Sequence, residues 1–133
     1  LGEHGTVLVW HKPTESLLNK KMSELHPAHA AFLEGVNARI EDLGDFASTG
    51  AYLHPGFKGS WSIKAVLPVM APELSYKDLE IQDGGQASLA WWQIMSGELT
   101  REERQAKIGA LERYCALDTL AMVEIYRRLR AMV

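Results

Sequence analysis

The length, composition and charge of the chain exclude several classes of protein. Its 133 residues, 47% of them hydrophobic, correspond to one ordinary domain. The 17 acidic and 14 basic residues give a net charge of -3, which excludes an overall basic field for nonspecific binding of nucleic acid. No stretch reaches the roughly twenty apolar residues of a membrane span, no signal pattern opens the chain, and a single cysteine excludes an internal disulfide, so we expect a cytoplasmic protein.

The first predicted elements form the start of an α/β unit. Residues 6–10 are an unbroken β-branched and apolar run, typical of a strand covered on both faces in a parallel or mixed sheet. Pro13 and Thr14 open a predicted helix with an apolar stripe of Leu17, Leu18, Met22 and Leu25. Because the chain starts at Leu1 and enters the strand within a few residues, we expect it to be a piece of a longer protein.

The middle of the chain combines short helices with glycine-rich connections. His26-Pro27 ends the first helix, and residues 30–43 have the period of a second. Residues 44–61 are rich in glycine, which predicts a loop with one short helix. Ser62 caps a helix at Ile63–Met70 that Pro68 and Pro72 shorten or bend, and the glycines at 84–85 are the hinge of the next turn.

The last third of the chain is predicted to be helical. Residues 88–95 form one helix that Gly97 ends. Thr100 and Glu103 match a capping box that opens a long final helix to about Ala131. The sequence therefore predicts a mostly helical α/β fold, with residues 1–133 in a single domain.

The final helix has an acidic residue in its apolar stripe, which consists of Leu111, Cys115, Asp118, Met122, Ile125 and Leu129. A buried carboxylate costs several kcal/mol unless it is protonated, paired with a cation or bound to a metal. Tyr114 lies one turn before Asp118 on the same face. Cys115 is interpreted as a small core residue, since nothing indicates a neighbouring base that would make it a nucleophile.

Two interpretations of Asp118 stay open from its position alone. It could accept a hydrogen bond from a lysine, arginine or backbone amide and tie the helix to a loop. Alternatively, the Tyr-x-x-x-Asp spacing joins a weak acid to a hard oxygen ligand, as hydrolysis with hydrated Mg²⁺ or Mn²⁺ requires. This spacing also occurs by chance in many helices.

Residues 114–119 (YCALDT) resemble the last motif of the DEDD superfamily of 3′–5′ exonucleases, tyrosine type, which share an RNase H-like fold. More specifically, residues 54–68 (HPGFKGSWSIKAVLP), 74–79 (LSYKDL) and 84–87 (GGQA) look like an uncharacterised bacterial domain family of that superfamily. The similarity runs from about Val9 to the final helix. It implies the C-terminal portion of an exonuclease-like domain whose carboxylates hold two divalent ions, Mg²⁺ or Mn²⁺.

The resemblance assigns roles to individual residues. Asp118 matches the last carboxylate and Tyr114 the tyrosine that orients the attacking water. Glu15 matches the carboxylate of the second motif, but His11 and Thr14 stand where the family has an asparagine and an aromatic residue. Glu15 is equally well explained as an acid in the first turn of a helix. Asp42, followed by leucine as in the family, has a supporting role.

The first motif of the superfamily, Asp-x-Glu on an early strand, has no counterpart before Thr6. With only Glu15 and Asp118 as metal ligands, two Mg²⁺ ions would not be held tightly, so residues 1–133 alone are expected to be a poor nuclease. A zinc site at His26 and His29 is not favoured, because no second pair of ligands follows at finger-like spacing.

A basic and aromatic strip offers a second kind of site. Lys58, Trp61 and Lys64 could meet a phosphate backbone and stack bases, together with Lys77, Tyr52, Phe57 and Tyr76. Alternatively, the aromatic residues anchor a long loop to the core while the lysines remain in solvent.

Two functional hypotheses follow. The first is a metal-dependent 3′–5′ exonuclease-like domain that hydrolyses DNA or RNA phosphodiesters in the full-length protein, with Asp118, Tyr114 and Glu15 as catalytic residues. The second is a catalytically dead relative that serves as a binding or scaffolding module, and an upstream Asp-x-Glu would favour the first. A purely structural helical domain is favoured if Asp118 is salt-bridged in the core.

A missing leading strand would leave a sheet edge open, so we also expect homo-oligomers.

Overall fold

The structure is a computed structural model that describes Gly2 and residues 4–133. It forms two compact units, Leu1–Val66 and Leu67–Val133. Most of the chain is helical, and it carries a small parallel sheet, which confirms the predicted α/β class at this coarse level. The prediction of a single domain over residues 1–133 stays a prediction.

The first unit is built on two parallel strands, β1 (Val7–Val9) and β2 (Ile40–Asp42). Val7 pairs with Ile40 and Val9 with Asp42, so both strands end at the same edge of the sheet. The predicted strand at residues 6–10 is confirmed, although its side chains are only partly buried. Within the described part of the chain the sheet has two strands. Self-association through its edge stays a prediction.

The predicted helix over residues 30–43 is wrong in its second half. Helix α2 (Ala30–Asn37) ends where the Asn37 side chain donates to the Ser16 carbonyl of the preceding helix and accepts from Asn19. The chain then enters β2, where Ile40 is 1% exposed. Pairing with β1 and burial of a β-branched side chain outweigh the helical period of this segment.

Helix α1 (Lys12–Leu25) begins with Pro13 in its first turn, as predicted. None of the residues described in α1 is buried, and its apolar stripe is about half exposed or more, at Leu17, Leu18, Met22 and Leu25. A 3₁₀ turn (Pro27–His29) separates α1 from α2. The predicted loop with one short helix is also confirmed, since α3 (Asp45–Ser48) and a 3₁₀ turn (Pro55–Phe57) interrupt the connection.

Helix α4 (Ile63–Met70) has the predicted bounds, and the Ser62 hydroxyl accepts from the Ala65 amide as a cap. In the second unit, α5 (Gly84–Ser96) begins four residues earlier than predicted. The glycines at 84–85 are its first turn and not a hinge, because the Asp83 carboxylate accepts from the Gln86 amide at 2.8 Å and caps the helix there.

Helix α6 (Arg101–Ala131) has the predicted bounds, and its capping box between Thr100 and Glu103 is confirmed. Gly97 ends α5 with a φ of 76°, also as predicted. Helices α5 and α6 pack around a small core formed by Ile81, Ala90 and Ala110. None of the helices described here is long and apolar enough to cross a membrane.

The interpretation of Cys115 as a core residue is wrong, because this side chain is exposed. The inward stripe of α6 consists of Ala110, Tyr114, Asp118, Ala121 and Ile125, of which Tyr114 and Asp118 are partly buried and the others fully buried. A residue next to a stripe position is rotated by about 100° around the helix. Cys115 therefore lies beside the stripe, while Asp118 belongs to it.

Candidate functional site

The Asp118 carboxylate accepts a hydrogen bond from a tyrosine. The Tyr76 hydroxyl donates to Asp118 Oδ1 at 2.6 Å, and Tyr76 is 9% exposed. Among the ion pairs within Gly2 and residues 4–133, none involves Asp118. The partner is thus neither the lysine or arginine nor the backbone amide that a purely structural aspartate was expected to have.

The segment between α4 and α5 positions Tyr76. Glu73, three residues earlier, forms an ion pair with Arg128 of α6, so the segment is tied to α6 at two places. The Tyr76 and Tyr114 ring centroids are 6.0 Å apart with 47° between the ring planes. Tyr114 also packs against the core of Ile81, Ala90 and Ala110. We refer to Tyr76, Tyr114 and Asp118 as the Tyr-Asp cluster.

Both phenols of the cluster hold their protons more tightly than a tyrosine in water. Burial raises the pKa of Tyr114 to about 12, and the negative charge of Asp118 acts in the same direction. Burial, the hydrogen bond to Asp118 and the charge of Asp118 raise the pKa of Tyr76 further above its usual range. At neutral pH the cluster therefore presents two hydroxyl donors beside one carboxylate.

The raised phenol pKa values predict a loss of stability in alkali. Below pH 10, the ordinary tyrosine pKa, folded and unfolded chains keep the phenol protons, so this contribution to stability is complete. From pH 10 to about 12 the unfolded chain loses protons that the folded chain retains at Tyr114, and the free energy of unfolding should fall. Denaturant unfolding across this range measures the fall, which should be shallower in Tyr114→Phe. A fall of equal steepness in the variant would contradict the assigned pKa shift.

Asp42 organises the start of α1. Its carboxylate accepts from three backbone amides: His11 at 3.0 Å, Lys12 at 2.6 Å and Gly44 at 2.9 Å. His11 has a left-handed φ of 75°, so the chain turns sharply between β1 and α1. One side chain at the end of β2 thus caps the helix that follows β1, and the supporting role of Asp42 in a catalytic site stays a prediction.

Glu15 lies in the first turn of α1 and is partly buried. The helix dipole favours an acid in this turn. The backbone amides at the start of α1, which have no acceptor within the helix, donate to Asp42. The two departures from the family motif contact one another, since His11 Nδ1 and Thr14 Oγ1 are 2.7 Å apart. The role of Glu15 as a metal ligand stays a prediction.

The basic and aromatic strip is only partly a surface feature. Lys58, Trp61 and Lys64 are exposed, and the Trp61 side chain is 56% exposed. Phe57 is buried against the Phe46 and Tyr52 rings, so it anchors the loop. The inclusion of Tyr76 in the strip is wrong, because its hydroxyl is turned to Asp118.

One family model matches part of the chain. Residues 1–62 match a family described as a domain of unknown function, DUF2779. No curated protein matches the chain, and no solved structure matches it. The matched residues include β1, β2 and the Asp42 cap, whereas the Tyr-Asp cluster lies outside them.

The oxygen groups of the Tyr-Asp cluster that could bind a metal ion are one carboxylate and two protonated phenols. Mg²⁺ and Mn²⁺ need several oxygen ligands with negative charge among them, which this set does not provide by itself. Over Gly2 and residues 4–133, the structure brings no three histidine, cysteine, aspartate or glutamate side chains together in a way that could hold a metal ion.

Sequence reasoning identified Asp118 and Tyr114 and missed Tyr76 as their partner. Tyr76 is 42 residues from Asp118, and helical periodicity gives no information over such a separation. The sequence feature that could have indicated Tyr76 is the segment at 74–79, which has a single aromatic residue between polar ones. Asp42 was similarly identified without its contacts, since its partners His11 and Lys12 lie about thirty residues earlier.

Proposed function

We propose that this chain is part of a metal-dependent 3′–5′ exonuclease-like domain with an RNase H-like fold, of the DEDD superfamily and tyrosine type. In the full-length protein it would hydrolyse phosphodiesters of DNA or RNA. Asp118 would contribute a carboxylate ligand, Glu15 a second one, and the Tyr114 hydroxyl would orient water. The proposal rests on the resemblance of residues 114–119 and on the environment of Asp118.

The observation that carries the proposal is the hydroxyl partner of Asp118. A structural aspartate in a helix stripe is ordinarily paired with a cation or with a backbone amide, which offsets part of its cost of burial. Here a neutral phenol accompanies the carboxylate, so its negative charge is solvated by hydrogen bonding and not cancelled. A partly buried carboxylate that takes part in no ion pair of the described residues is suited to hold a divalent cation together with other acids.

The proposal requires further acids beside Asp118 and Glu15. In the superfamily an Asp-x-Glu pair provides them, and the full-length protein should contain such a pair. With Asp118 and Glu15 as its two carboxylate ligands, this chain on its own is expected to be a poor nuclease. This chain would supply the two carboxylates of Asp118 and Glu15 and the phenol hydroxyl of Tyr114.

A second candidate is a catalytically dead relative that serves as a binding or scaffolding module. One observation favours it, since His11 and Thr14, which contact each other, occupy the positions of the asparagine and the aromatic residue in the motif of the resembled family. Such a module would keep the fold and the nucleic-acid surface without hydrolysis.

Nuclease activity of the full-length protein distinguishes the two candidates. With Mn²⁺ and end-labelled single-stranded DNA or RNA, we expect stepwise shortening from the 3′ end, and Asp118→Asn should lower the rate at least about tenfold, as for loss of one charged interaction in a reacting site. Asp78→Asn is the matched control, because this acid is exposed and lies two residues from Tyr76. Equal rates for wild type and Asp118→Asn would remove Asp118 from the mechanism. Absence of activity in the wild type would favour the scaffold.

A further inference from the structure

The loop after α3 encloses an open concavity of about 540 Å³ in the first unit. Phe57 and Ala47, both buried, line its inner part. Trp61 and Leu53 line it as well and are more than half exposed, so they lie at its mouth. Volumes of this size, lined by apolar and aromatic groups with few polar ones, are typical of sites for small organic groups.

The polar groups of the concavity are uncharged hydrogen-bonding groups. His54 Nδ1 accepts from the Gly56 amide at 3.0 Å, so in the neutral ring the proton is on Nε2, which leaves a donor for a ligand. The His54 ring is held 5.8 Å from the Phe57 ring. Ser60 lines the same space. Apolar faces with a few such groups match a flat heterocycle that carries donors and acceptors at its edge.

The charge around the concavity has the sign that a phosphate backbone requires. Residues 45–66 contain Lys58 and Lys64 and a single acid, Asp45, whose carboxylate accepts from the Ser48 hydroxyl, although acids outnumber bases in the whole chain. Lys58 follows Phe57 directly, and Lys64 lies in the first turn of α4, three residues after Trp61. Both lysines are exposed. This segment thus provides the local positive charge that a chain of net charge -3 needs to bind a polyanion.

We infer that this concavity holds one unstacked base of a single-stranded nucleic acid, with the Trp61 indole against the base and Lys58 and Lys64 at the adjacent phosphates. Stacking on an aromatic side chain beside basic residues is the usual means of binding single strands without sequence preference. The inference rests on the proposed function for the class of ligand. It deepens that proposal by specifying a single strand and the residues that hold it.

Binding without hydrolysis tests the inference. The full-length protein carrying Asp118→Asn is titrated, with a chelator present, against a short fluorescent single strand, and anisotropy is measured. In this background Trp61→Ala should raise Kd about tenfold, Trp61→Phe less because a ring is retained, and Lys58→Gln a few-fold with a weaker dependence on salt. Trp92→Ala, which removes a side chain 72% exposed on α5, is the control and should leave Kd unchanged.

Three outcomes would overturn the inference. They are an unchanged Kd in Trp61→Ala, equal affinity for a duplex of the same sequence, and displacement of the strand by a mononucleotide at comparable concentration, which would indicate a site for free nucleotides. Because every variant already lacks Asp118, this result is independent of the nuclease assay. Binding that depends on Trp61, together with a wild-type protein that shows no cleavage in the Mn²⁺ assay, would uphold the base site and remove the catalytic proposal.

Discussion

Asp42→Ala is expected to lower the free energy of unfolding by about 3 kcal/mol, because it leaves three backbone amides without their charged acceptor. Two of these amides belong to His11 and Lys12 at the start of α1, where no intrahelical acceptor exists. The third, from Gly44, fixes the turn after β2. Loss of the carboxylate should therefore loosen the ends of both strands together with α1.

Chemical denaturation of residues 1–133 measures this effect, with Glu41→Ala as the matched control. Glu41 is the preceding residue, is exposed, and is 3.9 Å from the Lys12 ammonium, so its loss should cost less than about 0.5 kcal/mol. Asp42→Asn keeps one acceptor oxygen and should fall between the two. If Asp42→Ala is no less stable than Glu41→Ala, the carboxylate does not hold this turn.

The elements predicted correctly are those that local sequence determines. Strand β1, the capping box at Thr100 and the end of α5 at Gly97 depend on residues within a few positions of one another. Strand β2 was missed because Ile40 continues the apolar period of α2, and only its pairing with Val7, far away in the chain, makes it a strand. A three-residue strand has too little sequence of its own to signal such pairing.

The candidate site was predicted in a similar way. Periodicity along α6 placed Asp118 and Tyr114 on the inward face, which is a local inference, and it failed by one residue at Cys115. Periodicity could not predict the partner of the Asp118 carboxylate, because Tyr76 lies in a segment without regular structure. The partner of Asp118 determines whether its carboxylate belongs to a structural ion pair. Tyr76 therefore decides how the site is interpreted, and it is the residue that the sequence predicts least.

Asp118→Ala is expected to cost about 2 kcal/mol of folding free energy, because it leaves the buried Tyr76 hydroxyl without an acceptor. Tyr76→Phe should cost less, since the remaining carboxylate is only partly buried and water can replace the lost donor. The double variant should then be more stable than the sum of the two single effects implies, with a coupling energy of about 1 kcal/mol.

Denaturant unfolding of the four proteins in this cycle measures the coupling, and Tyr126→Phe, an exposed tyrosine two turns along α6, is the control for loss of a phenol hydroxyl. A coupling energy near zero would show that the Tyr76–Asp118 hydrogen bond does not form in solution.

A further pair separates stability from function at the same position. Leucine is close to aspartate in shape, and the inward stripe of α6 is otherwise apolar or aromatic, so Asp118→Leu combined with Tyr76→Phe should be at least as stable as the wild type. If the full-length form of this apolar variant folds with undiminished stability and has lost Mn²⁺-dependent cleavage, the carboxylate serves the reaction and does not stabilise the fold. A variant that is much less stable than wild type would instead make the Tyr-Asp cluster a structural clasp between α6 and the segment that carries Tyr76.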